Sequence, residues 1–264
     1  MEVALAVQFD PGTVTSLDVA TFRTSIRSEF PKYEEQPPRP PVEENFEPII
    51  GGIPFQFEVV AAPPMPRFWF LSEEGSRLVQ LQSDLLAVNW RSVPEGGDYP
   101  RYGNLRSEVG DHFAALDEIV KQEGRPGLRP NWCEVTYINH VTPVGTDENR
   151  PRLEDVLTTI VPPKGEGFLP PAEDVVVRQR FLIDGDEKPR GRLIVEATPA
   201  FRNVDRVSIW AISFTSHVRA VGEGLDAALE ALDTGREWAV RGFGEMISPE
   251  MQSQWGLDEE GDDS

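Results

Sequence analysis

A break of two residues constrains this chain more than anything else in it. Only Ser83 and Asp84 separate the runs Arg77–Gln82 and Leu85–Arg91. A connection that short joins strands only if they run antiparallel, because a parallel return needs a crossover of about a dozen residues or more. Both runs have the period of a strand: Val79 and Leu81 alternate with Gln80 and Gln82, while Leu86, Val88 and Trp90 alternate with Asn89 and Arg91. One run earlier, Phe68 and Phe70 alternate with Arg67 and Trp69. Side chains two apart share a face of a sheet. A meander of these runs therefore gathers Arg67, Trp69, Gln80, Gln82, Asn89 and Arg91 on one face, opposite an apolar one. That set is richer in Arg, Asn, Gln and Trp than a merely solvated face, and it is the first candidate for a recognition surface.

The rest of the chain supplies the partners such a sheet needs. Val3, Leu5, Val7 and Phe9 predict a strand, and Val19, Phe22, Ile26 and Phe30 predict a helix that Pro31 ends. Residues 31–54 are rich in proline and read as an extended surface connection, with Phe46, Ile49 and Ile50 as docking points. A strand at 55–60 leads into the meander. Leu105, Val109, Phe113, Leu116 and Val120 then mark a long amphipathic helix that Gly124 and Pro126 stop. The plan repeats: a strand at 132–141, a short helix at 152–161, a hairpin of 175–184 with 190–198, and a strand at 204–218. Helical spacing from Leu225 to Ile247 fits one or two helices, and Ser248-Pro249 reads as the cap and first position of a last one. Both parts follow the order β-α-β(3–4)-α. The expected fold is α+β: an antiparallel sheet with long helices packed on it, a pseudo-duplication resembling the TBP-like or helix-grip arrangements. The expected halves are 1–126, with the proline-rich linker inside it, and 127–257, followed by a disordered acidic tail at 258–264.

Charge and cysteine usage narrow the function classes. The formal net charge is −20, which repels DNA, RNA and anionic lipid. Nucleic acid and membrane are therefore not expected partners, and the surplus acid suits solubility or a basic protein. Asp258, Glu259, Glu260, Asp262 and Asp263 account for part of it. Cys133 is the only cysteine, so no disulfide forms within the chain; flanked by Trp132 and Val135, it reads as a small buried hydrophobe rather than a nucleophile. No apolar run approaches the ~20 residues that cross a bilayer. The first ten residues lack the basic start of a signal peptide, so the expected location is the cytoplasm.

The chemistry-bearing residues form no catalytic pattern. His112, His140 and His217 have no metal-ligand spacing with each other or with Cys133, and there is no H-E-x-x-H, Walker loop, G-x-G-x-x-G or G-x-S-x-G. No catalytic residue, metal or cofactor is expected. Asp184-Gly185-Asp186-Glu187 lacks the spaced ligands of a calcium loop and reads as a hairpin turn. Tyr99, Arg101 and Tyr102 bracket Pro100 where the long helix begins, placed either to line a ligand edge or to cap the sheet by packing. In the 132–141 strand, Tyr137 and Asn139 share a face with Cys133 and Val135, and His140 shares the other with Glu134, Thr136 and Ile138. Tyr137, Asn139 and His140 complete the candidate binding residues. Glu134 and His140 stand ~20 Å apart along a strand and form no acid–base pair.

The segments Pro66-Arg67-Phe68-Trp69-Phe70, Gln80-Leu81-Gln82, Asn89-Trp90-Arg91, Tyr99-Pro100-Arg101-Tyr102 and Glu134-Val135-Thr136-Tyr137-Ile138-Asn139-His140 resemble a sporadically distributed family of bacterial proteins of about this length. The likeness spans most of the chain. It implies a bacterial accessory protein of the kind found in defence and toxin–immunity modules, with no activity assigned. The expected function is non-enzymatic: recognition of a protein or peptide partner, as an immunity, antitoxin-like or defence-associated component. The alternative is an enzyme or small-ligand binder whose pocket lies between helix and sheet, lined by Arg67, Asn89, Arg91, Tyr137 and His140.

Overall fold

The computed structural model describes residues 1–46, 64–94, 96–142, 153–160, 168, 175–202 and 206–255. In chain order the elements are β1 (Glu2–Phe9), α1 (Ser16–Ile26), β2 (Lys32–Gln36), β3 (Arg67–Leu71), β4 (Arg77–Gln82), β5 (Leu85–Arg91) and α2 (Arg101–Gln122). There follow β6 (Pro130–Val141), α3 (Leu153–Val156), β7 (Val177–Ile183), β8 (Gly191–Phe201), β9 (Ser208–Arg219), α4 (Gly224–Met246) and α5 (Pro249–Gln254). The nine strands make one sheet in the order β2-β3-β4-β5-β1-β6-β9-β8-β7, every neighbouring pair antiparallel. The protein is thus α+β, and among the described residues no helix is long and apolar enough to cross a membrane.

Strand alternation decides where the core sits. Val3, Leu5 and Val7 of β1, Val79 and Leu81 of β4, Leu86 and Val88 of β5 and Val135 of β6 are all completely buried on one face. α2 covers it with Leu105, Val109, Phe113, Leu116 and Val120, and α4 adds Ala228, Ala231 and Leu232. A second cluster lies under the far end of α4, where Leu193, Val195, Ile212 and Phe214 meet Ala239, Met246 and Ile247. Each large apolar side chain so buried stabilises by roughly 1.5–3 kcal/mol. The helices sit close. A Cβ placed on Gly235 of α4 would stand 2.5 Å from Ser216 Oγ and 3.3 Å from Val135.

Local signals end the elements where the chemistry asks. Thr15 and Asp18 form a capping box at the start of α1, and Asp18 also accepts from Arg125 Nη2 at 2.5 Å, which ties the α2–β6 connection to α1. Ser248 caps α5, with Pro249 at its first position. Two expected elements change, and a third is settled between its alternatives. Lys32–Gln36, inside the proline-rich linker, is an edge strand. The helix expected at 152–161 is only Leu153–Val156. The helical stretch after residue 224 is one helix of 23 residues. The strand expected at 55–60, Ile49, Ile50 and the acidic tail lie outside the described residues.

Candidate functional site

Among the described residues, helices cover only one face of the sheet. On the other, cross-strand register lines up Trp69, Gln80, Ala87, Ala6, Glu134, His217 and Arg192 in one row from β3 to β8. A chain of hydrogen bonds runs through its first part. Trp69 Nε1 donates to Gln80 Oε1 at 3.0 Å, Gln80 Nε2 to Asn89 Oδ1 at 2.7 Å, and Asn89 Nδ2 to Glu2 Oε1 at 3.1 Å. Gln80 and Asn89 are buried, so each of these bonds also avoids the ~1–3 kcal/mol that an unsatisfied buried amide group costs.

Residues 37–46 lie on this face as a strap that crosses the strands. Two glutamines take hold of its main chain. Gln82 Nε2 donates to the Arg39 carbonyl at 2.8 Å while Gln82 Oε1 accepts from the Arg39 amide at 2.9 Å. Gln8 repeats the pattern on Val42, donating to its carbonyl at 3.2 Å and accepting from its amide at 2.5 Å. A side-chain amide offers the same donor and acceptor that a neighbouring strand would. Farther on, Arg192 Nη2 donates to the Asn45 carbonyl at 2.9 Å, and the Phe46 ring packs against Trp132 with centroids 6.3 Å apart.

Charge fastens the same strap. Arg39 grips Glu134 through both guanidinium nitrogens, and Thr136 Oγ1 donates to that carboxylate at 3.2 Å. His217 lies between two acids, with Nε2 3.2 Å from Glu134 Oε2 and Nδ1 2.8 Å from Glu44 Oε1. Glu44 Oε2 accepts from Arg192 Nε at 2.7 Å and Arg180 Nη2 at 3.0 Å. Only 5 % of the Glu44 side chain and 10 % of that of Glu134 is exposed. Burial opposes every one of these charges, but the partners win. Hydrogen bonds from His217 and Arg39 hold Glu134 down to about 2, and His217 and the two arginines depress Glu44. Burial pulls His217 down, yet Glu134 and Glu44 outweigh it and raise its pKa above the ordinary imidazole value. With a carboxylate at each ring nitrogen, the group is an imidazolium.

The sequence-predicted residues divide between two faces. Trp69, Gln80 and Asn89 stand in the hydrogen-bonded chain and Gln82 in the strap contact. Arg67 lies over the Trp69 ring at 5.5 Å, and its Nε is buried without a hydrogen-bond partner among the described residues. Burial, and then the positive charge of Arg39, push its pKa down. Arg91 is elsewhere. It donates to the Gly75 carbonyl at 2.8 Å, and from Leu85, level with Gln82, to Arg91 is ~20 Å of strand. His140 is exposed on the polar face, level with Ala211.

Tyr99, Tyr102, Tyr137 and Asn139 are on the helix side. Tyr137 pairs in register with Val3 and Phe214, and Asn139 with Ile212. The Tyr99 ring packs on Trp90 at 5.3 Å. Tyr102 Oη donates to Asp233 at 2.8 Å, a carboxylate that Arg106 also grips at 2.7 and 2.8 Å. These contacts bind α2 to α4. Arg101 opens α2 with a left-handed φ of 66° and is exposed. The sheet therefore stands between two groups of the predicted binding residues. It also rules out a single pocket lined by Arg67, Asn89, Arg91, Tyr137 and His140, since Tyr137 faces the helices and the others do not. A 350 Å³ depression at the start of α4, lined by Val221, Glu223, Asp226 and Glu230 among others, includes none of them.

Sequence reasoning missed Gln8, Arg39, Glu44, Arg180, Arg192 and His217. A signal existed for some: Thr215, His217 and Arg219 alternate with Phe214 and Val218, the same parity rule that picked out Gln80 and Gln82. Comparison with protein-family models, curated proteins and solved structures finds no match.

Proposed function

We propose that this chain is a non-enzymatic binding protein, a bacterial accessory or immunity-type component that recognises a protein or peptide through the polar face of its sheet. The observation that carries the reading is Arg67. Its guanidinium rests on Trp69 beside a second cation, Arg39, with a buried donor that nothing in the described chain accepts. An arginine held over an aromatic ring is set to grip a carboxylate or carbonyl at two points, and Arg and Trp are the residue types that dominate interface energetics. The fold reading that accompanies it is a duplicated β-α-β(3–4)-α unit of TBP-like type. It is supported by the strand order, which runs outward from β1 as β5, β4, β3, β2 and outward from β6 as β9, β8, β7.

The test compares proteins that co-purify quantitatively with the native chain, with Arg67→Ala and with Arg67→Lys. The expected result is loss of at least one partner by roughly tenfold or more in both variants, since an anchor of this kind is worth about 2 kcal/mol and lysine lacks the planar fork. The melting curve should stay native. An unaltered set of partners from the Ala variant sinks the proposal, and a collapsed melt assigns Arg67 to the fold instead.

A further inference from the structure

The way the strap is held says what kind of chain this face takes. Four prolines among residues 37–41 fix φ near the polyproline II value. That helix has three residues per turn and rises ~3.1 Å per residue, so residues 39 and 42 are ~9.3 Å apart. They are held by Gln82 on β4 and Gln8 on β1, strands separated by two spacings of ~4.8 Å, or ~9.6 Å. One further turn leads to residue 45, whose carbonyl meets Arg192; β8 lies three strands beyond β1, and the long arginine side chain spans the difference. A polyproline II chain laid across the strands thus presents its main chain to the side chains of this face once per turn. The grip on the backbone does not read the sequence; the charge does. Around Glu44 the sheet contributes Arg180, Arg192 and the His217 imidazolium, while the neighbouring Glu134 is already paired with Arg39, and Glu44 fits among the three cations.

We infer that this face is a receptor for an extended, proline-rich segment carrying an acidic residue two positions after the backbone contact with Gln8, and that residues 37–46 are its resident occupant, exchangeable for such a segment of a partner protein. The inference rests on the binding reading above and names the class of partner. It also reverses the expectation drawn from net charge: a chain of −20 invites a basic partner, whereas this face attracts an acidic one. The resident strap competes at the millimolar effective concentration of a short tether, so a partner must present the matching sequence and must bind better than a stray anion would.

A fluorescein-labelled synthetic peptide of residues 37–46 serves as probe, with binding read by fluorescence anisotropy. The receptor is the full-length chain, either native or weakened in the strap alone by Val42→Pro with Glu44→Gln. The first change removes the amide that Gln8 accepts from, and the second removes the charge. The weakened chain should bind the peptide roughly tenfold or more tighter than the native chain, because the competitor is gone. A peptide with Glu44 replaced by Gln should bind about tenfold worse, and adding Arg192→Ala to the receptor should abolish binding. If the double variant does not hold its fold, Val42→Pro alone carries the measurement. A folded, weakened chain that ignores the peptide at millimolar concentration overturns the inference, as does equal binding of a scrambled peptide of the same composition. A strap-exchanged dimer in sedimentation overturns the partner-protein reading in favour of self-recognition. Absence of peptide binding together with loss of partners on Arg67→Ala sinks this inference and leaves the binding function standing; retention of partners on Arg67→Ala sinks the function itself.

Discussion

His217 shows how much one side chain can depend on distant ones. Its two ring nitrogens face Glu44 and Glu134, and around those acids stand Arg39, Arg180, Arg192 and Thr136. The pKa of His217 is raised in the folded chain, so its contribution is fully present below the ordinary value of 6.5 and is lost as pH climbs through the raised value. The two acids are depressed, so theirs is present above 4.5 and lost as pH falls toward their folded values. The cluster should therefore hold the strap best between those two limits. Melting temperature measured from about pH 2 to 9 should show this as a plateau that declines on both sides. In His217→Gln the alkaline decline attributable to the cluster should vanish, and an identical alkaline slope in both proteins would refute the assignment. Strand alternation offered His217 a place on the polar face, but its pairing was not legible in the sequence. The Glu44 that completes the site is 173 residues away from His217, and neither alternation nor motif spacing reaches across such a gap.

Elements held together by near neighbours were legible, and those held by distant ones were not. The meander β3–β4–β5 follows from strand period and the Ser83-Asp84 turn, α2 from its apolar stripe, and the start of α5 from Ser248. β2 carried no such signal, because Lys32, Tyr33, Glu34 and Glu35 are all exposed and show no alternation. The strap read as a linker because its prolines are visible, whereas Gln8 and Gln82, which dock it, acquire meaning only when β1 and β4 lie in one sheet. The seat of α4 is likewise written in one residue. Gly235→Ala gains about 1 kcal/mol of helix propensity, but the new methyl would stand 2.5 Å from Ser216 Oγ, and overpacking of this kind costs about 1–3 kcal/mol. Thermal melts should show Gly235→Ala below the native chain and Gly235→Ala with Ser216→Ala partly restored. A Gly235→Ala protein that melts above the native one would mean that α4 is free to lift.

At the scale of the whole molecule, the central ladder of β1 with β6 is what joins β2–β5 and β7–β9 into one sheet. Severing the chain at the expected boundary after residue 126 would leave β1 as an edge strand with Val3, Leu5 and Val7 behind it, and such edges aggregate. Residues 1–126 expressed alone should be insoluble, and co-expression with 127–264 should recover a soluble complex with a native melt. A cooperative monomeric melt from either piece alone would instead establish independent domains. The same ladder governs how the protein is born. β1 leaves the ribosome before either of its neighbours exists; Glu2 must wait for Arg91, and then for Ile138, to be made. At translation rates of about 5–20 residues per second, the strand stays unpaired for on the order of ten seconds. Non-local pairing of this kind is also slow to form once its parts exist. For that interval an apolar strand is open to a chaperone or a like strand on a neighbouring polysome, so the yield of this protein should depend on the tempo of its synthesis as well as on the stability of what is finally made.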